Sequence, residues 1–138
     1  MLISPKLTKP RGIRNNNAGN LENNGIQWLG LSPVQTDSRF YQFIEPKYGI
    51  RALARVLKNY QALHGINTAQ GVIDRWAPPH ENNTASYVAH VSSVLGVQKD
   101  QPINIDAYLV PLTEAIILHE NGVQPYSMAE IVEGVSLA

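Results

Sequence analysis

The sequence predicts a mainly helical fold (α+β) with a small lobe of loops and a β-hairpin at its N-terminal end, on three observations. From Pro46 onward, apolar residues recur with the period of a helix. The stretch before it is rich in Asn, Gly and Pro, with only short apolar or aromatic pieces at 26–31 and 39–44. A chain of 138 residues is long enough for one domain with its own core and short for two of ordinary size, so 1–138 is read as a single domain.

The elements follow in chain order. Lys6, Lys9, Arg11 and Arg14 are spaced by Pro5 and Pro10, which predicts a solvated, extended arm over 1–10 rather than a helix. In the segment from Arg39 to Phe43, Phe40 and Tyr41 face opposite sides of a strand; Phe40 and Phe43 then fall on different faces, which leaves room for a bend or bulge. Ile50, Leu53, Ala54, Leu57 and Tyr60 form the stripe of a long helix that Gly65 stops. A second helix runs from Thr68 as N-cap to Trp76 and is broken by Pro78-Pro79; a third runs from Asn83 or Thr84 through Tyr87, Val91, Val94 and Leu95 to Gly96. A fourth helical region starts near Asn104 or Ile105, with a restart allowed at Pro111, and ends at Glu120; a last one covers Ser127 to Val135.

Composition narrows the function classes. Eleven basic and eleven acidic residues cancel, so no overall field gathers nucleic acid. No apolar run approaches the roughly 20 residues that span a bilayer, so no membrane insertion is expected, and no secretory signal is visible. Cysteine is absent. His64, His80, His90 and His119 are scattered without zinc-ligand spacing, so no metal is expected; no Gly-rich phosphate loop follows a strand, and no cofactor is implied. Without a G-x-S-x-G serine elbow, what remains is carboxylate chemistry.

Glu120 is the carboxylate that stands out. Ile116 and Leu112 lie four and eight residues before it, so it continues an apolar stripe at the end of a helix that Asn121-Gly122 stops. Desolvation and the negative end of the helix dipole both disfavour its anion, and a carboxyl held protonated is a general acid. The alternative is a Glu chosen as a helix former, with its tip in water. Glu22, Asp37, Glu45 and Glu81 lie in loops or turns, each a possible second carboxylate of a glycosidase. Trp28, Tyr41, Trp76, Tyr87 and Tyr126 lie near these loops, either as core or as flat faces for sugar rings.

These residues resemble a family. Ile117-x-x-Glu120-Asn121-Gly122-x-x-Pro125 is similar to the I-x-x-E-S-G-x-x-P motif closing the catalytic helix of soluble lytic transglycosylases and related lysozyme-like enzymes, with Asn121 in place of Ser. The segment Arg75-Trp76-Ala77-Pro78 through Glu81, Thr84 and Tyr87 resembles the late E-T-x-x-Y-V segment of the same enzymes, with a Glu-to-Thr gap longer by two. Asn15 to Leu21, Trp28-x-Gly30 and Arg39-Phe40-x-x-Phe43 resemble segments of cell-wall glucosaminidases. The order is changed, since the catalytic helix comes last, and a circular permutation through the termini would restore it. The chain also looks like small phage and prophage proteins opening with R-G-I-R-N-N-N-P-G-N, with Ala18 where they have Pro.

The resemblance implies cleavage of the glycan strands of peptidoglycan between N-acetylmuramic acid and N-acetylglucosamine. Glu120 would be the acid; Asp37, or next Glu22, would be its partner in a hydrolase, while a transglycosylase needs none. Asn17, Asn20, Glu22, Trp76, Thr84 and Tyr87 would bind the saccharide. The implied setting is a phage-encoded or virion-associated protein acting at the host wall, with other virion proteins as further partners. The reading of a different class is a virion structural protein that binds glycan without turnover.

Overall fold

The computed structural model describes residues 9–79 and 83–138. Pro5, Lys6, His80 and Glu81 lie outside the described residues, as does most of the expected arm.

Helix α1 spans Arg11–Arg14, α2 Pro46–His64, α3 Ala69–Trp76, α4 Thr84–Leu95, α5 Leu109–Asn121 and α6 Met128–Ser136, with a 3₁₀ turn at Ile105–Tyr108 leading into α5. The fold is mainly α. Capping chemistry sets the boundaries. Thr68 accepts from the Gly71 N–H, Asn83 from Ser86 and Ser127 from Glu130, whose side chain returns to the Ser127 N–H in a capping box. Left-handed glycines close α2, α4 and α5. Pro111 does not restart α5; as its third residue, it lacks an N–H that would have had no helical partner there.

The core lies among α2, α3, α4, α5 and α6. Ile50, Leu53 and Leu57 of α2 are fully buried against Val72 and Ile73 of α3, Val91 of α4, Leu112 and Ile116 of α5 and Ile131 of α6. Val94, by contrast, turns outward from α4 and is 44 % exposed. Helix α6 packs on α2, and just past its end the Leu137 carbonyl receives Arg51 Nε and the Ala138 oxygen receives Arg55 Nη1 and Lys58 Nζ, cations near the negative end of a helix dipole.

Two expectations for the N-terminal lobe change. Arg11 and Arg14 belong to a one-turn helix rather than to an extended arm, with the N–H of Arg14 bonded to the Pro10 carbonyl; Pro10 is tolerated because it precedes the turn. In place of a hairpin, the described residues hold two isolated antiparallel bridges, Glu22 with Phe40 and Leu31 with Phe43. Segment 39–44 therefore changes partner midway. Tyr41 and Phe43 point to a second small core with Ala52 of α2, while Phe40 faces outward between Arg11 and Arg39; simple alternation suffices and no bulge is needed.

Side-chain amides do the work of a ladder. Asn17 Nδ2 donates to the carbonyls of Leu21 and Tyr41, and its Oδ1 accepts from the Leu21 N–H. Asn16 Nδ2 donates to the Phe43 carbonyl, and Gln35 exchanges hydrogen bonds with the backbone of Gln42. The lobe rests directly on α2 at Gly49, where any Cβ would collide with the Asn16 carbonyl oxygen.

Candidate active site

Helix α5 delivers Glu120 into a cleft of ≈ 480 Å³ between lobe and body. One wall comes from the lobe, with Asn20, Leu21, Glu22, Asn24, Trp28 and Phe40; the other comes from Val56 and Tyr60 of α2 and from Trp76 and Ala77. Leu112 and Ile116 are fully buried below Glu120, so the stripe that anchors the helix also carries the carboxyl half into the protein. Gly122 (φ 72°) ends the helix just beyond it, with its N–H on the Leu118 carbonyl.

The indole of Trp76 and the phenol of Tyr87 both approach the carboxyl at Oε2. Trp76 Nε1 donates to it at 3.4 Å and the Tyr87 hydroxyl at 3.2 Å. Burial raises the pKa of Glu120, against the opposing effect of hydrogen bonds from Trp76, Tyr87 and Asn20. With Oε2 accepting two donors, the proton of the neutral acid belongs on Oε1. Tyr87 is held as a phenol, since burial and the adjacent Glu120 carboxylate both push its pKa upward.

The helix end is fixed to the lobe by amides. Asn20 Nδ2 donates to the main-chain carbonyl of Glu120 at 3.3 Å, and Asn121 Nδ2 to Ala18 O at 3.0 Å and Ile117 O at 2.9 Å. Asn20 Oδ1 and Asn121 Oδ1 are buried without a hydrogen-bond partner among the described residues. Both close on Gly12: a Cβ there would stand 2.6 Å and 2.7 Å from them, so a larger residue would have to displace these amides.

The expected site residues divide. Glu120, Asn20, Glu22 and Trp76 line the cleft, and Tyr87 reaches it through its hydroxyl. Trp76 is both groove and core, half-buried against the body while its indole faces Glu120. Asp37 is a correction. Its oxygens accept from Arg11 Nε (2.7 Å) and Nη2, from Asn15 Nδ2 (2.9 Å) and from the N–H groups of Arg39 and Phe40, and it lies outside the cleft lining. The Arg11 guanidinium above all holds its carboxyl well below the usual range, so it is an anionic clasp inside the lobe and no partner for Glu120. Asn17 is fully buried and its amide is spent on the backbone. Thr84, 5 % exposed, donates to the Ala77 carbonyl at 2.6 Å and faces a separate depression between α3 and α4. Both serve the walls and do not offer themselves to a ligand.

Sequence reasoning takes the histidines for surface or packing residues and does not place two of them behind Glu120. His119 stacks on the Tyr87 ring at 3.9 Å with 8° between planes, and His90 lies 4.8 Å from His119. Burial, with His90 second, lowers the pKa of His119, so a neutral imidazole backs the phenol that touches Glu120. The signal was present: Tyr87 and His90 share a helical face, and His119 adjoins Glu120. Among the described residues, no group of three or more His, Asp or Glu side chains is placed to hold a metal ion, and no helix is long and apolar enough to cross a membrane.

The arrangement defines a class: a small, mainly α protein with a half-buried carboxyl at a helix end, in a cleft between body and lobe. Over 127 residues the chain is 39 % identical to Protein P5 of Pseudoalteromonas phage PM2, covering 90 % of this chain and 79 % of that protein. It belongs to the family of that phage protein and is phage-associated. No described family model matches it.

Proposed function

We propose that this protein cleaves the glycan strands of peptidoglycan with Glu120 as general acid. The observation that carries the proposal is the placement of a half-buried carboxyl at a helix end inside a cleft of aromatic rings and amides, where burial favours its protonated form. Oε1 protonates the glycosidic oxygen as the oxocarbenium-like transition state develops. The bond to the leaving sugar breaks, its oxygen takes the proton, and Glu120 becomes an anion steadied by Trp76 and Tyr87. Trp76 and Tyr60 offer flat apolar faces to sugar rings, and Asn20 and Asn24 lie where hydroxyl or acetamido groups would pass.

With Asp37 committed to Arg11, the transglycosylase branch is the better supported one. There the same Glu120 takes a proton back, while the substrate's own acetamido group or 6-hydroxyl does the work of a second carboxylate. Glu22 is the remaining partner for a hydrolase, and it is already paired with Arg39. We read the fold as lysozyme-like with circularly permuted order, and the place of action as the host cell wall, reached with the virion. Membership of a phage family also suits a virion component that binds glycan without turnover, which is the alternative.

Mass spectrometry of fragments released from isolated peptidoglycan, with Glu120→Gln alongside, decides among these. Anhydro-muropeptides from the wild type alone are expected. Reducing ends would redirect attention to Glu22, and absence of fragments from a protein that still sediments with the sacculus would leave the binding role.

A further inference from the structure

The cleft is chemically uneven along its length. Around Glu120 its walls are rings and uncharged amides. At the lobe end stand Glu22 and Arg39, the other charged residues of the described lining. Arg39 Nη2 meets Glu22 Oε1 at 2.6 Å, with the two side chains 62 % and 61 % exposed. An ion pair so exposed does little for stability, so folding does not account for its presence there.

Its surroundings hold it ready nonetheless. The Arg39 guanidinium lies 4.9 Å over the Phe40 ring, whose other neighbour, Arg11 at 4.8 Å, is clamped on Asp37. Asp37 also fixes the Arg39 main-chain N–H, and the bridge between Glu22 and Phe40 sets the distance between the two charged residues. Arg39 is therefore stacked and oriented before any ligand arrives, and its planar fork loses little freedom when it exchanges one carboxylate for another.

A glycan of N-acetylated sugars carries no charge. In peptidoglycan the charges sit on the short peptides attached to it, as free carboxylates and the amine of a diamino acid. We propose that Glu22 and Arg39 form a subsite for these peptide stems: Arg39 takes a stem carboxylate, and Glu22, released, takes the amine. The inference rests on the glycan-cleaving reading above and names what that site selects.

The test compares initial cleavage rates and sedimentation on two polymers, glycan strands bearing their peptides and strands from which an amidase has removed them, the lactyl carboxylates so freed being capped as neutral amides. Wild-type protein is expected to prefer the bearing strands about fivefold, a preference that shrinks as ionic strength rises. Arg39→Gln and Glu22→Gln are each expected to bring the ratio of the two rates near one, and thermal melting identifies any variant that fails to fold. Equal rates for the wild type, or a preference that survives in folded Arg39→Gln, overturns this inference alone. Failure to cleave or bind either polymer overturns the glycan reading and the subsite with it.

Discussion

The helical body and the N-terminal lobe of this protein reach definite structure by different means. In the body, Ile50, Leu53, Leu57, Ile116 and their partners lose all contact with water, and periodicity alone organises them. In the lobe, two isolated bridges take the place of a sheet, and the amides of Asn16 and Asn17 supply missing backbone partners while that of Asn15 holds the Asp37 carboxylate. A short loop segment thus acquires a fixed shape when side chains satisfy the backbone groups that no ladder reaches. Glu120 lies on the seam, where an apolar helix meets an amide-held wall.

The seam is where the largest effect is expected. Glu120→Gln keeps shape and loses the transferable proton, so lysis of peptidoglycan should fall by about 10²–10⁴-fold in a turbidity assay. The same change removes a half-buried acid whose pKa is raised by folding. Above the ordinary carboxylate range the unfolded chain releases that proton more readily than the folded one, so stability falls as pH rises through the raised value. The variant should therefore melt higher than wild type at neutral pH, by about 4 °C if ~1 kcal/mol is recovered; an unchanged melting temperature would mean that the carboxyl is hydrated.

Next in size is a break within the body. Leu53→Ala should cost about 3 kcal/mol and lower hydrogen-exchange protection across all its helices together. Asn17→Ala should cost about 2 kcal/mol through orphaned carbonyls, with protection lost over 15–44 and kept in α2 to α6. Uniform loss in both variants would erase the distinction between the two regions. Gly12→Ala tests the joint between them: crowding Asn20 and Asn121 should lower the turnover rate about tenfold at a cost of about 1–3 kcal/mol in thermal melting.

The smallest effects are titrations. Asp37 has its pKa lowered by folding, so its contribution is present above the ordinary carboxylate range and is lost as pH falls below it. Acid should loosen the lobe before the body, and Asp37→Asn should flatten that dependence while weakening the lobe at neutral pH. For Tyr87→Phe, loss of one donor to the Glu120 anion should move the alkaline limb of the activity profile to higher pH.

Helices were legible in the sequence because cap residues and apolar spacing are local signals: α2, α3, α4 and α6 begin and end within a residue or two of the expected positions, and so does the far end of α5. The lobe was not, because an Asn reads the same whether its amide meets water, sugar or backbone. Asn17 was expected at a ligand and binds Leu21 and Tyr41 instead; Asp37 was expected at a reaction and binds Arg11. Glu120 was legible for the opposite reason, since a carboxylate continuing an apolar stripe breaks a local rule. His119 lies 29 positions from His90, and only the packing of α4 on α5 brings them together.

The turn that ends α5 also bears on how this protein ages. Asn-Gly steps lose their side-chain amide through attack by the glycine nitrogen, and the chain has two, at Asn24-Gly25 and Asn121-Gly122. At the second, the Gly122 N–H is engaged by the Leu118 carbonyl and the Asn121 amide is locked between two others. Deamidation there would set a new negative charge beside Glu120 and remove the donor that holds the lobe. The hydrogen bonds that shape the cleft thus also protect it from slow chemical decay; Asn24 and Gly25, though hydrogen-bonded too, are exposed where Asn121 is buried, so in stored protein the damage should accumulate first at Asn24.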